Sequence, residues 1–274
     1  MIHQTEDLNS SSDSPDFYTT KNIASWNEAA LRHAAINATL HDQVRNPTFN
    51  NLHPDFEALI DTYSVNNKSV VQVCCNNGID LLSIKNKGAG RCVGIDGAQA
   101  FIDQAISLAQ AASRPDIEFC HSDIYQLPSE YQNSFDVAIV TVGVLNWMPD
   151  LLQFMKVCAS LLVPNGVLLM EELHPILGMY EEGQPSFMAH SYFNVKPVKN
   201  SDGLDYFTHE KYAGREHYSF HHSLADILMS AAACHLQLLH IKELPYNVGN
   251  FCADLELSPN NPPLAINLGW RKCA

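Results

Sequence analysis

The sequence predicts an α/β protein built on a parallel sheet with helices on both faces. Two observations carry that expectation. Between Ser69 and Glu171, short apolar runs that read as buried strands alternate with helix-like stretches, and such alternation builds a parallel sheet with right-handed crossovers. Within it, Ser69 to Asp96 reads as strand, tight turn at Gly78, helix, and a second strand closing on an acid. That order is half of a nucleotide-binding site.

Ahead of the sheet, residues 1–16 are acidic and polar and hold no apolar core, which fits a disordered tail rather than a signal peptide. A helix is expected over Ile23–Thr39, broken by Asn46-Pro47, and another over Asp55–Tyr63, opened by Pro54. Residues 17–66 would then form a helical lid over the strand ends. The first five strands are expected at Val70–Cys74, Cys92–Ile95, Ile117–His121, Phe135–Val142 and Val167–Glu171. The fourth is apolar almost throughout, as a strand buried on both faces must be. Helices from Ile79, over Ala98–Ala112 and over Leu151–Leu162 connect them, and Pro164-Asn165-Gly166 reads as a turn. Residues 174–222 lose periodicity and are rich in aromatic, His, Pro and Gly residues; long segments of this kind inside a domain are usually functional or mobile. Ser223–Cys234 is a helix with Ser223 as N-cap, and Gln237–Glu243 and Leu264–Arg271 are the last strands. The main domain is thus 67–274, with 174–222 as an insertion.

A chain of 274 residues can bury one large core with a cap. Its 46% apolar and 17% charged residues are ordinary for a globular protein. A net charge of −14 without any Lys/Arg cluster argues against a nucleic-acid partner. The apolar run 135–148 is interrupted by Asp136, Thr141 and Asn146 and falls short of the ~20 residues of a bilayer span, so no membrane partner is expected. Eight scattered cysteines with no paired metal spacing and no export signal read as reduced thiols in a cytoplasmic protein. Monomer and homodimer stay open.

Several local patterns recur in a fixed order. They are Trp26-Asn27-Glu28 with His33; Cys75-x-x-Gly78-x-Asp80 after the first strand; Trp147-x-x-Asp150-Leu151 after the fourth; Pro164-x-Gly166 before the fifth; Glu172-x-His174-Pro175 at its end; and His222-Ser223-Leu224 opening a helix. From about Phe17 onward the chain resembles the class I S-adenosylmethionine-dependent methyltransferases. More closely it is similar to a little-characterised bacterial group acting on small molecules. The resemblance implies a Rossmann-like seven-stranded, mostly parallel sheet with an antiparallel C-terminal strand. It implies S-adenosyl-L-methionine as cofactor, and transfer of its methyl group by direct in-line displacement to an O- or N-nucleophile of a small-molecule acceptor. The first turn departs from the usual acid and glycines, holding Gln72, Cys74, Cys75, Asn76 and Asn77. Asn tolerates positive φ, so Asn76 and Asn77 can still shape it. Ala29 stands where an arginine often follows the N-terminal motif.

In such a site the backbone at Cys75, Asn76 and Gly78 would approach the methionine end of the cofactor, whose carboxylate suits a helix N-terminus. Asp80 would either complement the helix dipole or meet the ammonium. Asp96, next to Gly97 and eighteen positions past Gly78, stands close to the ~20 expected of a ribose-binding acid. Asp123 and the Ile124 amide would hold adenine, or Asp123 caps a turn. Thr141 and Val142 would line the cofactor, or are plain core. His174 and His222 are candidate bases, with structural roles as the alternative. His217, His221 and His222 lack metal-ligand spacing, so no metal is expected. Tyr18, Trp26, His33, Trp147 and Tyr192 would wall the acceptor pocket, or simply pack. Two rival functions remain: an inactive protein that binds S-adenosylmethionine or S-adenosylhomocysteine, and a nicotinamide-dependent oxidoreductase. The second needs Gly-x-Gly-x-x-Gly, which Cys-Cys-Asn-Asn-Gly does not supply.

Overall fold

A computed structural model describes residues 14–208 and 211–273. Residues 1–13 of the expected tail lie outside the described residues. In chain order the elements are α1 (Pro15–Ile36), α2 (Leu40–Gln43), α3 (Pro54–Tyr63), β1 (Val70–Val73), α4 (Ile79–Asn86), β2 (Cys92–Asp96), α5 (Gln99–Ala111), β3 (Glu118–His121), β4 (Phe135–Val140) and α6 (Leu151–Leu161). There follow β5 (Leu162–Leu173), β6 (Tyr180–Glu181), β7 (Phe187–Met188), β8 (Val198–Asp202), β9 (Ala213–Ser219), α7 (Leu224–Ala233), β10 (Leu236–Leu244) and β11 (Ala265–Lys272).

Seven strands form one sheet in the order β10-β11-β5-β4-β1-β2-β3. β1 runs parallel to both β2 and β4, while β11 is antiparallel to β5 and to β10. The expected mostly parallel sheet with an antiparallel terminal strand is therefore present. Chain order reverses direction between β1 and β4, and in open sheets ligands bind outside the strand ends at such a switch point. Apolar side chains cover both faces. On one, Phe56, Leu59 and Ile60 of α3 and Leu81, Leu82 and Ile84 of α4 pack on Val70, Ile139 and Leu169. On the other, Phe154 and Met155 of α6 and Ile227 of α7 pack on Val71, Val140 and Leu168. Side chains alternate along each strand, so consecutive residues serve opposite cores.

The structure corrects several boundaries. α1 begins at Pro15, not Ile23, because the Ser14 hydroxyl accepts from the Phe17 amide and Pro15 occupies the first turn; residues 15 and 16, expected in the tail, are helical. β4 ends at Val140, placing Thr141 and Val142 just beyond it. The turn at 164–166 is a break in register within β5: Phe135 pairs with Leu162 but Val137 with Val167. Residues 174–222 are not structureless. They hold two hairpins, β6/β7 and β8/β9. The β8/β9 hairpin escapes a periodicity search because β8 is exposed along its whole length. Its partner β9 lies along α1, where the Asn22 side-chain amide donates to the Tyr218 carbonyl (2.8 Å) and its oxygen accepts from the Tyr218 N–H (2.8 Å).

Candidate active site

The turn after β1 is made by left-handed steps at Cys74 (φ 53°), Asn76 (φ 51°) and Gly78 (φ 74°). Asn77, expected to share this task, does not; its amide donates to Asn76 Oδ1 at 2.7 Å. A Cβ at Gly78 would meet the Phe119 ring at 2.8 Å, so space and φ both demand glycine. Cys75 is buried, its amide bonded to the Ile95 carbonyl (2.9 Å).

Asp96 closes β2 against this turn. Its Oδ2 accepts from the Asn76 amide and its Oδ1 from the Ala98 amide, both at 2.8 Å. Each oxygen keeps a second lone pair, so the acid can hold the turn and still accept from a ribose. Burial pushes the Asp96 carboxyl up, and these two amides oppose the shift. A Cβ at Gly97 would strike Ile23 Cδ1 at 2.7 Å, so α1 presses directly on this corner. Asp123 accepts from the Tyr125 amide at 2.9 Å and caps a short turn; Ile124 is buried.

Asp80 does more than face a helix dipole. It accepts from the Asn51 side chain (2.7 Å) and the Thr141 hydroxyl (2.8 Å), and Thr141 Oγ1 accepts from Gln72 Nε2 (2.8 Å). Next to this relay, β5 ends on two successive buried acids. Glu171 Oε2 accepts from His53 Nδ1 at 2.7 Å. Its Oε1 has no partner among the described residues, nor do Gln72 Oε1 and the side-chain amide of Asn267, which sits opposite Glu171 across the β5/β11 ladder. The Glu171 carboxylate holds the His53 imidazole above its ordinary range, while burial pushes Glu171 itself up. Glu172, on the other face, accepts from the amides of Gly143, Leu145 (3.0 Å) and Leu173 (2.8 Å) and so folds the loop after β4. Burial raises its carboxyl as well.

The sequence reading missed His53 and Glu171. The available signal was slight: a His before a helix-opening Pro, and an acid within an apolar strand. The two histidines it chose are otherwise engaged. His174 caps a short turn, with Nδ1 accepting from the Ile176 amide (3.2 Å) and Nε2 on Glu243 (3.0 Å). Both ring nitrogens are occupied, which corrects the expectation of an available base there. His222 sets Nε2 on the Met148 carbonyl at 2.8 Å. Burial lowers both imidazoles.

Aromatic side chains from three segments meet above the β1 turn. Trp26 of α1 lies 5.1 Å from Trp147 and 6.2 Å from Tyr206, between ring centroids. His33 packs on Trp26 and Tyr206, with Nε2 2.8 Å from the Leu204 carbonyl. Burial pushes the Tyr206 phenol up and the polar Asn76 side chain opposes the shift, so the insertion reaches the turn itself; no periodic signal marked Tyr206 in the sequence. Tyr18 stacks farther along, on Tyr218 and Phe220. Tyr192 belongs elsewhere: its hydroxyl accepts from the Leu224 amide at 2.9 Å and its ring packs on His221 and Phe193, at the start of α7. It is therefore not grouped with the Trp26 cluster, because that hydroxyl anchors the insertion to a helix instead. Val142 packs beside Gly249. Among the described residues no three His, Cys, Asp or Glu side chains gather as metal ligands, and no helix is long and apolar enough to cross a membrane.

Sheet order, switch-point turn and the acid closing β2 together define the class I S-adenosylmethionine-dependent methyltransferase fold. Residues 70–166 match the methyltransferase domain family. Over 117 residues the chain is 28% identical to a demethylmenaquinone methyltransferase of Lactococcus lactis, covering 42% of this chain and 46% of that one. Over 137 residues it is 28% identical to a ubiquinone biosynthesis O-methyltransferase of Neisseria meningitidis, covering 50% and 53%. The chain thus spans about half the length of these curated relatives. Among solved structures, an S-adenosylmethionine-dependent methyltransferase from Listeria monocytogenes superposes with a TM-score of 0.59 at 14% identity, over 80% of this chain and 98% of that one. The 1,6-didemethyltoxoflavin-N1-methyltransferase of Burkholderia thailandensis gives 0.57 at 13% identity, over 99% of each chain.

Proposed function

We propose that the chain transfers the methyl group of S-adenosyl-L-methionine to an oxygen or nitrogen of a small, planar aromatic acceptor. The observation that carries this reading is the bond from the Asn76 amide to Asp96. It joins the turn after β1 to the acid closing β2 at the switch point, where the two ends of one elongated ligand would lie. The residues present suit that cofactor: Asp96 for the ribose, Asp123 and Ile124 for adenine, and the turn from Cys75 to Gly78 for the methionine end. When bound, the cofactor supplies an electrophilic methyl group with a neutral thioether as leaving group. The protein's share is then to align the acceptor, exclude water and take up a proton. Trp26, Trp147, His33 and Tyr206 supply an apolar wall over the turn, which favours a flat ring. The quinone-related names of the partial relatives agree with such an acceptor.

Calorimetry with S-adenosylmethionine and S-adenosylhomocysteine tests the reading. Binding of both, with S-adenosylhomocysteine formed in the presence of phenolic acceptors, is expected. Failure to bind either ligand would defeat it. Binding without turnover on any acceptor would leave the chain as a binding protein for these ligands.

A further inference from the structure

We propose that His53, oriented by Glu171, is the group that takes the proton from a hydroxyl-bearing acceptor, an inference that rests on the methyltransferase reading above.

The geometry is that of a histidine–carboxylate pair with one working nitrogen. Nδ1 donates to Glu171 Oε2 at 2.7 Å, so the neutral ring carries its lone pair on Nε2. The His53 side chain is 39% exposed, while that of Glu171 is 2% exposed. The orienting acid is dry and the ring it orients is reachable. Placement agrees. β5 is next to β4, which is next to β1, and neighbouring strands are about 4.8 Å apart. The end of β5 therefore lies about two strand spacings from the turn that would hold the reacting end of the cofactor. Thr141, just past β4, bonds Asp80 in the helix that follows the turn. The unpartnered Oε1 of Glu171 gives the acid a further accepting position.

The other histidines at this edge cannot serve as well. His174 has both ring nitrogens bonded. His222 holds Nε2 on a backbone carbonyl. His33 is 2% exposed and bonds the Leu204 carbonyl.

The charges facing His53 come from several elements. Glu171 of β5 touches it, and Asp80 of α4 acts from a longer range. Asp55 of α3 is neutralised by Lys242 of β10 (2.5 Å) and also accepts from the Tyr246 hydroxyl (2.6 Å). The balance favours the protonated ring, a suitable resting place for a proton lifted from a weak acid.

In the step itself the acceptor hydroxyl gives its proton to Nε2 of His53. Its oxygen forms the new bond to the methyl carbon. The old methyl–sulfur bond breaks with its electron pair kept by sulfur. The products are a methyl ether, neutral S-adenosylhomocysteine and a His53 imidazolium, which later returns its proton to solvent.

The test uses the full chain. Nitrogen-15 NMR with S-adenosylhomocysteine present should find His53 in the Nδ1–H form at high pH, and Glu171→Gln should move its titration to lower pH. Methyl transfer from labelled S-adenosylmethionine is then followed on catechol, 3,4-dihydroxybenzoate and dopamine. In His53→Asn, which keeps an amide to face Glu171, kcat should fall about a hundredfold or more, with KM for S-adenosylmethionine within about twofold of wild type, since a base acts on the step rather than on ground-state binding. Activity should rise with pH through the His53 titration, and Glu171→Gln should shift that limb to lower pH; a merely structural pair would not move it. An Nε2–H form, or transfer unchanged in His53→Asn while the wild type is active, overturns the assignment. So does S-adenosylhomocysteine binding with no transfer by wild type to any of the three phenols. Failure of S-adenosylhomocysteine to bind removes the methyltransferase reading itself.

Discussion

Glu171 and Glu172 are neighbours in one strand, yet they end the two faces of the sheet in opposite ways. Glu172 faces the α6 side and is closed: backbone amides of Gly143, Leu145 and Leu173 converge on it. Glu171 faces the α3 side and is open: one oxygen holds a half-exposed histidine and the other holds nothing. Both carboxyls are pushed up by burial, so burial alone does not separate them. The partners do. A carboxylate answered by several backbone donors fixes a loop; one answered by a single titratable side chain tunes that side chain.

Replacement of each acid breaks the contrast most directly. Glu172→Ala strands three amide donors and should cost about 3 kcal/mol or more of stability by urea denaturation. Glu171→Ala should cost less than about 1.5 kcal/mol, because His53 can turn to water. Equal losses would sink the distinction. A smaller effect is expected at the third acid, Asp96, which combines both habits. Asp96→Asn keeps one accepting oxygen and should weaken S-adenosylhomocysteine binding about tenfold by calorimetry, a loss of about 1.4 kcal/mol. Unchanged affinity would remove Asp96 from the ribose.

The smallest effect sharpens the contrast through pH. Burial lowers the imidazoles of His33, His174, His217, His221, His222 and His240. Their folded values lie below the unfolded one, so the stability they carry is complete above pH ~6.5 and is lost as pH falls through the folded values. His53 is raised; its contribution is complete below pH ~6.5 and fades as pH climbs through its folded value. Six against one, the histidines pull Tm down between pH 7.5 and 5.5, while the raised carboxyls of Asp96, Glu171 and Glu172 pull the other way as pH falls. In Glu171→Gln the fall should steepen, since the opposing histidine has lost its partner. A Tm profile unchanged in Glu171→Gln would contradict the coupling of His53 to Glu171.

The parts legible in the sequence share one property: their signal is local. Strands β1, β2 and β4 announce themselves as apolar runs. Gly78 and Asp96 follow from position within one strand–turn–helix–strand unit, and Ser223 shows as an N-cap, to which the structure adds Asp226 as the second half of a capping box. What was hidden depends on distance along the chain. His53 and Glu171 are 118 residues apart, and nothing near either residue points to the other. Tyr206 and Asn76 meet only after the insertion folds back. His174 misled for the converse reason. Its place at the end of β5 was readable, but the Glu243 and Ile176 partners that occupy it come from tertiary packing and a local cap.

Asn76 also reverses the meaning of a deficit. A glycine there would have adopted the same left-handed backbone at no steric cost, yet it would have offered Tyr206 no side chain. The contact between Asn76 and Tyr206 ties the turn to the insertion. One side chain therefore serves both the backbone geometry of the turn and its contact with a segment far along the chain.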